Sequence, residues 1–110
     1  LGIKRRIELF ATPLTFANCV YTARKNVGYE NAIRGLKALK AYVKTTAMDD
    51  NQVMDALCSD MPDFEDMLQY RAAEAAGCDA IVTRDKKRHF PQEGIPVLSP
   101  EAFLNEFFKD

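Results

Sequence analysis

Apolar and polar positions divide the chain into short β and longer α segments. IELFATP (7–13) holds a short apolar run at Ile7, Leu9 and Phe10, then turns into a helix start. Thr12 can cap that helix, and Pro13 suits its first position, where proline's missing N–H would have had no partner. Leu14, Ala17, Val20, Tyr21 and Ala23 follow at helical spacing, with Arg24 and Lys25 near the end, where the helix dipole favours cations. Gly28 breaks the pattern. A second helix is predicted over YENAIRGLKALKAYV (29–43), with Ile33, Leu36, Leu39, Ala41 and Val43 inward and Arg34, Lys37 and Lys40 outward. KTTAM (44–48) is short and β-branched and reads as a strand. Asp49 or Asp50 then caps a helix through Val53, Met54 and Leu57.

The second half opens with DFEDMLQYRAAEAAG (63–77). Asp63 is a good N-cap, and Asp66 stands three residues on, at the capping-box position but with a shorter acid than the usual Glu. The predicted inward stripe is Phe64, Met67, Leu68, Ala72 and Ala75, and Gly77 is a stop. AIVT (80–83) and IPVL (95–98) read as strands, separated by the charged loop TRDKKRHFPQEG. Ser99-Pro100-Glu101 starts a last helix with Phe103, Leu104 and Phe107 inward. Strands thus alternate with helices and are almost continuously apolar, the signature of parallel strands covered on both faces. The expected class is α/β, three-layered, with a mostly parallel central sheet.

This order has a geometric consequence for two acids 19 positions apart. A helix leading into a parallel strand runs antiparallel to it, so the helix start and the strand end share one edge of the sheet. A helix over 64–76 rises roughly 20 Å, and the strand retraces a similar distance in fewer residues. Asp66 and Asp85 are therefore expected at one rim, the carboxyl edge, where open α/β folds place ligands. Two carboxylates there repel unless a cation lies between them; Mg²⁺ or Mn²⁺, hard cations that take oxygen ligands, suit the site. Such an ion polarises a phosphate and activates a water. The plain alternative is that Asp66 only complements the helix dipole and Asp85 only begins a loop.

Composition narrows the choice. The 110 residues, 47% hydrophobic and 28% charged, suffice for one domain with a core. The formal net charge of −1 gives no global basic field, so any polyanion must be read by a local patch. RDKKRH (84–89) is such a patch: Arg84, Lys86, Lys87 and Arg88 could steer an RNA backbone, or form a solvated loop. Lys4-Arg5-Arg6 has the same ambiguity, and His89, the one histidine, reads more simply as a packing or surface residue than as an acid/base. Tyr21, Tyr29, Tyr42 and Tyr70 do not cluster in sequence into a stacking platform. Cys19, Cys58 and Cys78 are odd in number and lack metal-type spacing, which fits a reduced, cytoplasmic protein with buried thiols, Cys78 in the core. No apolar run approaches a membrane span. No Ser-His-Asp order, glycine-rich phosphate loop or zinc spacing is present.

Taken together, DFEDMLQYRAAEAAGCDAIVTRDKKRHFPQEGIPVLSPEAFL resembles the C-terminal half of a PIN domain: an acid opening a helix before an alanine-rich run, an apolar-Thr-x-Asp strand end, a Phe, and an IPVLSPEAFL-like strand and helix. The likeness is close over roughly 62–104. FATPLTFANCVYTARK resembles the second strand and following helix of a PIN subgroup, which extends the weaker likeness over nearly the whole chain. The resemblance implies a metal-dependent endoribonuclease, a hydrolase acting on phosphodiester bonds with Mg²⁺ or Mn²⁺. It also implies, for bacterial VapC-type members, the toxin half of a toxin–antitoxin pair, with RNA as substrate, an antitoxin protein as partner and a homodimer as the assembly. Asp66 then matches the family's third acid and Asp85 the fourth, with Asp63 a candidate outer-shell helper.

The chain departs from that pattern at two places. The family's first acid ends an N-terminal strand that this sequence does not show; LGIKRR looks like the last turn of a helix, so residues 1–110 read as a single PIN-like domain lacking its first strand and the start of its first helix. The second acid, usually Glu, aligns with Asn18, whose amide oxygen can ligate Mg²⁺ but adds no charge. A catalytically weak or inactive PIN-like module binding RNA or protein is the competing expectation. A receiver-like or phosphatase-like domain also uses acids at this edge, but needs an acidic first-strand end and a lysine on a later strand, and neither is visible.

Overall fold

The computed structural model describes residues 7–84, 90–91 and 94–107, Phe107 by its backbone only. The elements follow the expected order: β1 (Leu9–Ala11), α1 (Pro13–Val27), α2 (Tyr29–Lys40), β2 (Val43–Thr45), α3 (Asp50–Leu57), α4 (Phe64–Ala75), β3 (Ile81–Val82), β4 (Val97–Leu98) and α5 (Pro100–Phe107). Both ladders are parallel, as expected for an α/β fold: β1 pairs with β2, Leu9 opposite Val43, and β3 pairs with β4, Ile81 opposite Val97. The chain forms two compact units, residues 1–47 and 48–110, with one ladder in each.

In the first unit, Thr12 caps α1 by accepting from the Thr15 N–H at 3.0 Å, and Pro13 follows at the first helical position. Gly28, at φ 83°, ends α1 and lets α2 begin at once, with the Ala32 N–H donating to the Gly28 carbonyl at 3.0 Å. α1 packs on α2, and α2 reaches β2. Here helical spacing misjudged the covered faces. No residue of α1 is buried, and α2 buries only Ala32. Leu39 and Ala41, expected inward, are exposed, as are Ala17 and Tyr21 of the apolar positions along α1. Val43 is buried, but in β2 rather than on α2, which stops at Lys40. The strand accordingly begins one residue earlier than KTTAM suggested and ends at Thr45.

The second unit holds most of the buried core. Asp49 caps α3, Asp63 caps α4, and the Ser99 hydroxyl accepts from the Ala102 N–H at the start of α5. α3 packs on α4, and α5 on β4. Met67, Leu68 and Ala72 are buried as expected; Tyr70 is buried too, whereas Phe64 and Ala75 face out. Leu104 of α5 is also exposed rather than inward. Gly77, at φ 71°, closes α4: its N–H donates to Glu74 and that of Cys78 to Ala73, both at 3.0 Å, satisfying carbonyls the helix end leaves open. Cys19 and Cys58 are exposed and Cys78 half-buried, so the expected buried thiols are not found; all three are free. Among the described residues, no helix is long and apolar enough to cross a membrane.

Candidate functional site

Asp66 sits in the first turn of α4 and is only 3% exposed. Its backbone N–H donates to Asp63 Oδ1 at 2.9 Å, so Asp63 is committed as the helix cap. The neighbouring Glu65 is exposed on the same turn. An acid serving only the helix dipole would be expected to keep its hydration, as Glu65 does. Asp66 is instead buried, a placement that the dipole alone does not require.

One turn further along α4, Tyr70 holds the β3–β4 connection. Its hydroxyl accepts from the Ile95 N–H at 3.0 Å, and its ring lies 6.2 Å from that of Phe90. Gly94, at φ 104°, passes so close that an added Cβ would collide with the Tyr70 hydroxyl. Asp66 and Tyr70, four residues apart, share one face of the helix. Sequence spacing missed Tyr70 because a tyrosine among alanines and charges carries no periodic signal of its own.

Other expected site residues fall elsewhere. Asn18 is on an exposed position of α1, in the first unit. Arg84 Nη1 lies 3.5 Å from Glu101 Oε2, both side chains well exposed, so the pair is worth roughly 0–1 kcal/mol and can exchange with another anion. Asp85, Lys86, Lys87, Arg88 and His89 lie outside the described residues, as do Lys4, Arg5 and Arg6.

At the carboxyl ends of β1 and β2 stand two buried threonines that periodicity did not single out. Thr12 hydrogen-bonds Thr15, and Thr46 donates its N–H to the Ala11 carbonyl at 2.9 Å. Thr46 is 8% exposed and its hydroxyl has no partner among the described residues, a state that buried polar atoms rarely keep without a water or ligand.

A family model described as PIN domain matches residues 1–87. The chain belongs to the PIN-domain family. Searches of curated proteins and of solved structures return no match. The PIN domain is a nuclease-type fold whose members generally use divalent metal ions and bind nucleic acids, some also binding antitoxins. Among the described residues, no group of three or more His, Cys, Asp and Glu side chains could hold a metal ion. The Asp66 carboxylate is an oxygen donor of the kind Mg²⁺ and Mn²⁺ prefer; it fits such an ion in chemistry and would be one of the several ligands the ion takes.

Proposed function

We propose that residues 1–110 act as one PIN domain, a divalent-metal-dependent endoribonuclease and the toxin of a bacterial toxin–antitoxin pair, working in the cytoplasm as a homodimer. The burial of Asp66 in the first turn of α4 carries the reading, because it sets this acid apart from the solvated Glu65 beside it. Asp66 and Asp85 would hold Mg²⁺ or Mn²⁺. The ion would supply charge to polarise the phosphodiester and lower the pKa of an attacking water. The chain's own part is orientation. Asp63 fixes the first turn of α4, and packing around Asp66 limits its rotamers, so less ordering is left to the moment of reaction. Arg84, Lys86, Lys87 and Arg88 would draw in the RNA backbone.

Cleavage of single-stranded RNA should require Mn²⁺ or Mg²⁺ and be lost in Asp66→Asn and in Asp85→Asn. Cleavage that survives both substitutions in protein free of contaminating nuclease would remove these acids from the site. A second reading, a PIN module that binds RNA or protein without cleaving, is favoured by Asn18, an amide where the family pattern has an acid. It predicts no metal-dependent cleavage, with RNA binding retained.

A further inference from the structure

The net charge of −1 conceals a division. Residues 1–47 carry nine Lys and Arg against two Asp and Glu, formally +7. Residues 48–110 carry six against fourteen, formally −8. The division falls at the boundary between the two compact units. A polyanion approaching the first unit meets a basic body even though the whole chain is nearly neutral.

Five of that unit's nine Lys and Arg stand on the last turn of α1 and on α2. Arg24 and Lys25 end α1, with the Arg24 guanidinium 4.6 Å and the Lys25 ammonium 4.8 Å from the centre of the Tyr21 ring. Beyond Gly28, one face of α2 forms an open cleft of about 320 Å³ lined by Tyr29, Glu30, Ile33, Arg34 and Lys37. Tyr29 is 62% exposed, a large uncovered ring at the start of a helix. Positions 29, 33 and 37 are one turn apart, so an aromatic face, an aliphatic side chain and a cation follow one another along the cleft. Arg34 lies beside them and Glu30 is the one acid among them.

We propose that this α1–α2 corner is a docking surface for single-stranded RNA, with a base on Tyr29 and Ile33 and the backbone phosphates on Arg34, Lys37, Arg24 and Lys25. Cations beside an exposed ring are what a single strand needs, since every base offers a π face and every linkage a negative charge. An acidic peptide would use the cations and leave the ring uncovered. The choice of RNA among single-stranded nucleic acids rests on the ribonuclease reading; the surface itself does not. Glu30 gives the assignment a sign: it opposes phosphate, so its removal should strengthen binding.

The test is binding of a fluorescently labelled uridine 15-mer, read by anisotropy in EDTA so that cleavage cannot contribute. Arg34→Glu with Lys37→Glu should weaken binding about a hundredfold at low salt, and the log–log salt dependence should flatten by about 0.7 for every phosphate that the variant no longer neutralises. Tyr29→Ala should weaken it on the order of tenfold, and Tyr29→Phe should restore it. Glu30→Gln should tighten it. Circular dichroism spectra matching the parent confirm that each variant folds. Binding unchanged by the double reversal and by Tyr29→Ala would overturn the proposal. So would polyglutamate, or vesicles of anionic phospholipid, competing as well as unlabelled RNA at equal charge. RNA bound at this corner by a protein that does not cleave it would end the nuclease reading and leave the surface standing. Cleavage that depends on Asp66 while the corner variants bind normally would do the reverse.

Discussion

In the first unit α1 buries no residue and α2 buries only Ala32, whereas in the second α4 alone buries Asp66, Met67, Leu68, Tyr70 and Ala72. The first unit is also formally +7 and the second −8. One half is an open, basic pair of helices with a short ladder; the other is a better packed, acidic body that holds the buried carboxylate. Under the proposed function the contrast is a division of labour, in which the packed unit orients reacting groups and the open unit meets the substrate. Precise orientation needs surrounding side chains that do not move, and binding a flexible polyanion needs exposed charge.

Asp66→Asn puts the largest expected effect on that contrast. The amide keeps the shape and removes the charge, so cleavage in Mn²⁺ should fall about a thousandfold or more. RNA affinity in EDTA should change little, because the substitution lies in the acidic unit. If affinity and cleavage fall together by the same factor, binding and chemistry are not divided between the units as argued.

The next effect is on stability, at the two glycines with positive φ that best represent the two units. Gly94 faces both strain, at φ 104°, and the Tyr70 hydroxyl, so Gly94→Ala should cost about 2–4 kcal/mol in urea unfolding. Gly28, at φ 83° with open space around it, meets only the backbone term, so Gly28→Ala should cost about 1–2 kcal/mol. Equal costs would mean that Tyr70 does not clamp the β3–β4 connection. Tyr70→Phe isolates the hydroxyl: it leaves the Ile95 N–H without its acceptor and should cost about 1–2 kcal/mol.

Much of this architecture was legible from residue order. Caps and stops have local causes, so Thr12, Asp63, Pro13 and Gly77 mark their helix ends wherever the helix packs. The covered faces were harder, since a 3.6-residue period tells which side chains align but not what lies opposite them. Leu39 therefore looked inward and is exposed. The acid at position 66 was visible as a candidate, yet its burial, which separates it from Glu65, depends on tertiary packing. The charge division was present in the sequence throughout and was hidden by summing over the whole chain. The family likeness was carried by several short motifs in order, and the match over residues 1–87 includes the α1–α2 segment, where those motifs are weakest.

Matched caps offer a gentler comparison of the units. Thr12 caps α1 by a 3.0 Å bond and Asp63 caps α4 by one of 2.9 Å. Thr12→Ala and Asp63→Ala should each cost about 1 kcal/mol. Their consequences should differ: Asp63→Ala loosens the turn that carries Asp66 and should lower kcat, while Thr12→Ala should act on stability alone. Equal loss of kcat in both would show that the first turn of α4 has no special part in orientation.

The smallest expected effect concerns Cys78, which joins α4 to β3. Burial, and then the adjacent Asp79 carboxylate, raise its thiol pKa above the usual 9.0. The folded protein therefore holds this proton more tightly than the unfolded chain does. The associated stability is present in full below about pH 9 and is lost as pH rises through the folded-state pKa. Cys78→Ala removes the titration, so the variant should lose less stability than the parent between about pH 8 and about pH 10 in paired urea midpoints. Cys19 and Cys58 are exposed. A parent and a Cys78→Ala variant with the same slope would mean that the thiol is as well hydrated in the folded chain as in the unfolded one, and that the α4–β3 turn is looser than the rest of the acidic unit.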